Sequence, residues 1–62
     1  LDIDGNNLIE PQDHNLINLY ASGLDVIEFG FLIENFSNDL IGANATRNDA
    51  SLIFAYFETI VL

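Results

Sequence analysis

Side chains that carry oxygen recur at regular intervals near the start of this 62-residue chain. Residues 2–13 have such groups at the first, third, fifth, ninth and twelfth positions, and no basic residue lies among them. Calcium loops take side-chain ligands from these positions and a backbone carbonyl from the seventh. The spacing therefore predicts one oxygen-ligated metal site with ligands from six residues: Asp2, Asp4, Asn6, Leu8, Glu10 and Asp13.

Alternate residues of a tightly turning loop point inward, which would let the acidic side chains converge on one hard cation. Leu8 can supply its carbonyl, Asp13 can offer two oxygens, and Glu10 can bind directly or through water. Ile9, at the eighth position, is expected to turn into the core. So many oxygens on a flexible loop favour Ca²⁺ over its rivals, which are magnesium, sodium and water. The alternative is an acidic turn that holds no ion.

The loop departs from the EF-hand pattern at two positions. The sixth is Asn7 rather than glycine, and Asn tolerates the left-handed backbone conformation that this position requires. The twelfth is Asp13 rather than glutamate. With Gly5 at the fourth position and hydrophobic Ile9 at the eighth, the loop resembles those of dockerins and related secreted bacterial calcium modules. Residues 42–47, Gly-Ala-Asn-Ala-Thr-Arg, are similar to the turn before the closing helix of these modules.

The resemblance implies one dockerin-like module over residues 1–62, a fragment or processed part of a longer extracellular protein. Dockerins carry two copies of the loop and helix, and the second copy should fall around residues 38–51. Only two acids, Asp39 and Asp49, lie there, so we expect a degenerate second loop closed by hydrogen bonds. Dockerins recognise their partner through small hydroxyl residues at the tenth and eleventh loop positions, where this chain has Pro11 and Gln12.

The composition excludes several classes of function. Ten Asp and Glu stand against a single Arg47, and the formal net charge is -9. Nucleic-acid binding and polybasic membrane anchoring both depend on Lys and Arg, so neither is expected. No apolar run approaches the roughly 18 residues of a membrane-spanning helix. Half of the residues are hydrophobic, which predicts a folded domain, and without cysteine an ion or a partner must stabilise so small a core.

Apolar periodicity predicts a small three-helix, all-α domain with the calcium loop at its N-terminus. The first helix spans residues 13–22 and stops at Gly23, and the second spans residues 26 to about 36 after an Asp25 cap. A connection at residues 37–48 includes a short turn at residues 39–41. Two buried faces compete on the second helix: Ile27, Phe31 and Ile33, or Phe29, Leu32 and Phe36.

The last helix has the clearest pattern of the three. Asn48 or Asp49 can cap its N-terminus. Apolar residues recur along one of its faces, which predicts burial against the other helices. That face comprises Leu52, Ile53, Tyr56, Phe57, Ile60 and Val61.

Catalysis is not predicted, because the chain has one histidine and neither cysteine nor lysine. The histidine, His14, is expected to be exposed in a first helical turn. Arg47 has two alternative roles. It can form an ion pair with Asp39, Asp49 or Glu58, or it can donate hydrogen bonds to carbonyls where the connection enters the last helix.

Together these features predict a non-catalytic, calcium-stabilised module that is extracellular or at the cell surface. Calcium would order the N-terminal loop, and an apolar helix surface would dock to a protein partner or a neighbouring copy. The alternative is a structural subunit of a surface or fibrous assembly, held by exposed hydrophobic faces, with calcium incidental. A homo-oligomer or larger assembly is compatible with both.

Overall fold

The computed structural model describes residues 1–60, which form four helices: α1 Pro11–Ala21, α2 Val26–Asn35, α3 Ser37–Leu40 and α4 Ala50–Thr59. Residues 1–60 contain no β-strand, and the all-α prediction is confirmed. The helix count is four rather than the predicted three. The additional helix, α3, forms because the chain leaves the helical conformation at Phe36 and Leu40 anchors the next turn in the core.

Helix α1 begins two residues earlier than predicted. Glu10 is its N-cap and Pro11 its first residue, a position where the missing N–H of proline costs nothing. Asp13 therefore lies within the first turn, where its carboxylate accepts a hydrogen bond from the Glu10 N–H at 2.8 Å. The helix ends as predicted, since Gly23 follows with a left-handed φ of +90°.

Aspartate caps start the other two long helices. Asp25 accepts a 2.8 Å hydrogen bond from the Glu28 N–H, as predicted for α2. At α4, the structure selects Asp49 from the two predicted caps, because its side chain accepts from the Leu52 N–H at 2.8 Å. Each cap satisfies one amide that the helix leaves unpaired.

The core lies between the helices and the N-terminal loop. Helix α2 packs against α3 and α4, and α1 packs against α3. Aromatic rings fill the interior: Tyr20 stacks on Phe57 with centroids 4.1 Å apart, and Phe54 meets Tyr20 and Phe29 edge to face. The buried apolar residues are Ile3, Leu16, Phe29, Ile33, Leu40, Ile53 and Phe57.

Neither predicted face of α2 is the buried one. The buried pair, Phe29 and Ile33, takes one member from each alternative and lies at i, i+4 spacing on one side of the helix. Ile27, Phe31 and Phe36 are exposed. On α4, Ile53 and Phe57 are buried as predicted, Leu52 is largely exposed, and Val61 lies outside the described residues.

The two longest non-helical segments, residues 1–10 and 41–49, are joined by hydrogen bonds. The Arg47 N–H donates to the Asp4 carbonyl at 2.8 Å, and the Gly42 N–H donates to the Asp4 side chain at 2.7 Å. The part of the chain that the structure describes contains no helix long and apolar enough to cross a membrane.

Candidate metal centre

Three aspartates of the N-terminal loop meet in space. Asp2, Asp4 and Asp13 each offer a carboxylate oxygen, and these oxygens lie within 4.8 Å of one another. Asp4 is 0% exposed and Asp13 is 1% exposed, while Asp2 is partly exposed to solvent. Like charges held this close repel strongly, so the arrangement suits a bound cation.

Asp13 joins the loop to α1. One of its oxygens, Oδ1, accepts hydrogen bonds from the Ile3 N–H at 2.8 Å and the Asp4 N–H at 3.3 Å. The other, Oδ2, accepts from the Glu10 N–H. Three backbone amides therefore hold the carboxylate in place, and each oxygen keeps acceptor capacity for a metal.

Asp2 organises the turn of the loop. Its Oδ1 accepts from the N–H groups of Gly5 and Asn6 at 3.1 and 3.3 Å, and its Oδ2 accepts from the Asn7 N–H at 2.9 Å. The turn needs left-handed backbone at two positions, and φ is +74° at Gly5 and +66° at Asn7. The left-handed conformation predicted for Asn7 is thus confirmed.

Asp4 carries the least satisfied group of the cluster. Its Oδ2 accepts the 2.7 Å hydrogen bond from the Gly42 N–H. Its Oδ1 is buried and has no hydrogen-bond partner. A buried carboxylate oxygen without a partner is costly, so this atom marks the point where a cation would be stabilised.

The carboxyl groups of Asp4 and Asp2 have opposite pKa shifts. Burial raises the pKa of Asp4 above its ordinary value of 3.8, and the neighbouring Asp13 charge adds to the rise, against the lowering effect of the Gly42 N–H. Burial also tends to raise the pKa of Asp2, but hydrogen bonds from the backbone N–H groups of Asn7, Asn6 and Gly5 lower it overall. Without a cation, Asp4 therefore takes up a proton before Asp2 as the pH falls.

Two further predicted ligands lie beside the cluster and are bonded to each other. The Asn6 Nδ2 group donates to Glu10 Oε1 at 2.7 Å and to the Ala43 carbonyl at 3.2 Å. Both side chains turn towards Gly42: a Cβ built there would lie 2.6 Å from Asn6 Nδ2 and 2.9 Å from Glu10 Oε1. Asn6 and Glu10 thus lie near Asp4 on the side of Gly42, and the structure does not bring Glu10 into the cluster of the three aspartates.

Two apolar residues of the loop, Leu8 and Ile9, have exposed side chains. Leu8 donates its N–H to Asn6 Oδ1 at 3.0 Å, which tightens the loop around the residue whose carbonyl is the sixth predicted ligand. The prediction that Ile9 turns inward is wrong, because it is 71% exposed. Ile3 fills the core position instead, held between two aspartates that face the cluster. His14 is exposed, as expected.

The second loop supports the first. Thr46 donates its hydroxyl to the Gly5 carbonyl at 2.9 Å. Of the two roles foreseen for Arg47, the structure has carbonyl donation, with Nε bonded to the Ile3 carbonyl at 2.7 Å and Nη2 to the Asp2 carbonyl at 2.6 Å. These carbonyls belong to the metal loop rather than to the start of α4.

The contacts of Gly42, Thr46 and Arg47 with the first loop did not follow from our sequence reasoning. A repeated pattern could have indicated them. Residues 13–20 and 49–56 both read Asp-x-x-Leu-Ile-x-x-Tyr, which marks two copies of a loop and helix. The segments that precede the two repeats are hydrogen-bonded to each other in the structure. In residues 1–60 the cluster of potential metal ligands belongs to the first copy alone.

Comparison of the chain with models of protein families, with curated protein sequences and with solved structures finds no match. The geometry of the site and the chemistry of its residues therefore carry the functional argument. All three side chains of the cluster present oxygen, the ligand type of hard cations such as Ca²⁺ and Mg²⁺.

Proposed function

We propose that this chain is a non-catalytic, calcium-stabilised module of dockerin type in which the first loop binds one Ca²⁺. The observation that carries the proposal is the buried Asp4 Oδ1, which has no hydrogen-bond partner and belongs to a carboxylate close to those of Asp2 and Asp13. A cation among them would satisfy that oxygen and remove the repulsion between three negative charges.

The other loop residues would complete the coordination shell. Asn6 and Glu10 lie next to Asp4 on the side of Gly42, and the Leu8 carbonyl stands at the position that supplies a backbone ligand in calcium loops. Ca²⁺ accepts six to eight oxygens in flexible geometry, whereas Mg²⁺ demands a near-octahedral set. A loop built on left-handed turns with mixed carboxylate, amide and carbonyl donors suits the larger ion.

Calcium binding in this proposal is coupled to folding. The three aspartates come together only when the loop folds onto α1, so the free energy of binding adds to the free energy of unfolding. Calcium is abundant outside cells, and we therefore place the module outside the cell or at its surface. There the ordered domain would present apolar side chains to a protein partner.

A calcium titration of the chelator-stripped chain, followed by calorimetry and far-ultraviolet circular dichroism, tests the proposal. We expect one-to-one binding with a gain in helix, lost in Asp2→Ala and Asp13→Ala and strongly weakened in Asp4→Asn. Asp39→Asn is the matched control, since it removes one charge from an exposed aspartate outside the cluster. Absence of binding heat and of structural change in the unaltered chain would overturn the proposal.

A second function has its own observation in favour. Ile27 and Phe31 are 67% and 60% exposed and line an open groove with Ala50 at the start of α4. Exposed apolar groups in such a groove are typical of contact surfaces. On this reading the chain is a structural subunit whose hydrophobic faces hold an assembly, with calcium incidental.

Sedimentation with and without chelator separates the two functions. A calcium-stabilised module loses helix and stability when calcium is removed, and it sediments more slowly as it expands. An assembly subunit stays folded and self-associates, and Phe31→Ser reduces the association.

A further inference from the structure

Four consecutive carbonyl groups of the metal loop are held by two residues of the second loop. Arg47 bonds to three of them: its Nη2 to the Asp2 carbonyl, its Nε to that of Ile3 and its backbone N–H to that of Asp4. Thr46 bonds through its hydroxyl to the Gly5 carbonyl. The residues joined by these side-chain bonds are 41 to 45 positions apart in the chain.

The N–H groups of the same four peptide units point at the carboxylates. Those of Ile3 and Asp4 donate to Asp13, and those of Gly5 and Asn6 donate to Asp2. The C=O and N–H of a trans peptide point in opposite directions across a rigid plane. A donor that holds the carbonyl on one side therefore aims the amide at the carboxylate on the other.

Tyr56 of α4 holds the arginine in place. The Arg47 guanidinium carbon lies 3.8 Å from the centroid of the Tyr56 ring, in the geometry of a cation–π contact. The planar fork can then reach two adjacent carbonyls at once, which the single ammonium of a lysine cannot reproduce with the same geometry. The metal loop is thereby connected to the closing helix.

We propose that Arg47 is a positioning residue of the metal site, an inference that rests on the proposed calcium-binding function. Its guanidinium orients the two peptide units whose amides hold Asp13, and Tyr56 keeps the guanidinium in place. The side chain thus strengthens the binding of a cation although its own charge opposes it. Position outweighs charge at this residue because the two peptide planes that the guanidinium holds aim their amides at the Asp13 carboxylate.

Two substitutions separate position from charge. Arg47→Lys keeps the positive charge and loses the fork, and Arg47→Gln loses both. We expect both to weaken Ca²⁺ binding at least about tenfold, the equivalent of one charge-assisted hydrogen bond. If the charge alone mattered, Arg47→Lys would bind as the unaltered chain does and Arg47→Gln would bind more tightly. That pair of results would overturn the proposal.

Luminescence of bound Tb³⁺ gives a readout that a general loss of stability does not move. Its lifetime reports the number of water molecules on the ion. We expect a shorter lifetime in Arg47→Lys, Arg47→Gln and Tyr56→Leu, because a loosened loop admits water, and an unchanged lifetime in Tyr56→Phe, which keeps the ring. Ile33→Val destabilises the core from α2 and should leave the lifetime unchanged.

The outcomes distinguish this inference from the proposed function on which it rests. Failure of the unaltered chain to bind Ca²⁺ or Tb³⁺ overturns the proposed function. Binding by the unaltered chain, with affinity and lifetime the same in both Arg47 variants, overturns the role of Arg47 alone. Circular dichroism of each metal-loaded variant verifies that the compared chains are folded.

Discussion

The segments 13–20 and 49–56 share the pattern Asp-x-x-Leu-Ile-x-x-Tyr, but the structure uses them differently. Asp13 is buried in the first turn of α1 and accepts from three backbone amides. Asp49 is exposed, precedes α4 as its N-cap, and accepts from the Leu52 amide. One aspartate belongs to a candidate metal site, and the other starts a helix.

The apolar residues at matching positions of the two segments also differ in burial. Leu16 is 0% exposed, whereas its counterpart Leu52 is 44% exposed. Ile53 is buried, whereas its counterpart Ile17 is only partly so. Helix α1 starts two residues before its aspartate and α4 starts one residue after. The repeated residues therefore occupy different positions in the two helices, and different members of the pattern are buried in the core.

The difference lies in what precedes each helix. Acidic and amide residues precede α1, and their side chains converge with Asp13. The turn before α4, residues 41–48, has no acidic residue. It supplies Thr46 and Arg47, which donate hydrogen bonds to the carbonyls of the first loop. The first loop has the clustered carboxylates, and the second loop has the donors that hold the backbone around them.

The largest expected effect is on stability at the two repeated aspartates. Asp13→Ala leaves three backbone amides without their acceptor and should lower the free energy of unfolding by at least about 3 kcal/mol. Asp49→Ala removes one helix cap and should cost about 1 kcal/mol. Urea denaturation in calcium and in chelator measures both. Equal losses would show that the two aspartates are equivalent.

The two repeated leucines should differ in the same direction. Leu16→Ala opens a cavity in the core and should cost about 3 kcal/mol. Leu52→Ala removes a side chain that is already half in solvent, so its cost should stay below about 1 kcal/mol. Thermal and urea unfolding of both variants test the difference. A loss of stability in Leu52→Ala as large as that in Leu16→Ala would contradict the exposed position of Leu52.

Gly42 tests whether the second loop shapes the site without supplying a ligand. A Cβ there would lie 2.8 Å from Asp4 Oδ2 and also crowd Asn6 and Glu10. We expect Gly42→Ala to weaken calcium binding about tenfold, or about 1.4 kcal/mol. In the control, Gly23→Ala, the new methyl group meets nothing but strains a left-handed residue. It should lower stability and leave the Tb³⁺ lifetime of the bound state unchanged.

The smallest expected effect is a dependence on pH that reverses with calcium. The raised pKa of Asp4 means that its protonation stabilises the metal-free fold, fully below 3.8 and less as the pH rises through the raised value. Asp2, with a lowered pKa, stabilises the fold above 3.8 and loses this contribution only as the pH falls below that value. The metal-free chain should therefore melt at a slightly higher temperature as the pH falls from 7 towards 4.

With calcium bound, protons compete for Asp4 and the same acidification should lower the melting temperature. Calorimetric melting curves across this range measure both trends. Asp4→Asn should abolish the rise seen in chelator, and Asp39→Asn should retain it. A rise that persists in Asp4→Asn would assign the titration to another group.

Much of the local structure could be predicted from the chain. The caps at Asp25 and Asp49, the stop at Gly23 and the left-handed Asn7 all depend on chemistry within a few residues. The three clustered aspartates were also among the predicted ligands, because the spacing of the loop positions brings their side chains to one side. Their calcium ligation stays a prediction.

Other features could not be predicted in this way. Ile9 was expected inside the core, but Ile3 takes that place because it lies between two aspartates that face the cluster. On α2, nearly every position is apolar, so periodicity could not choose between the competing faces. Contact with α4 and the rest of the core selected Phe29 and Ile33.

Helix ends, turn conformations and the acidic ligand set follow from the order of neighbouring residues, since caps, left-handed turns and loop ligands need only short-range geometry. The tertiary structure decided the role of Arg47, the approach of Gly42 to Asp4 and the burial of Asp4 itself. These depend on hydrogen bonds between residues 38 to 45 positions apart. Such bonds form only after the helices have packed and brought the two loops together.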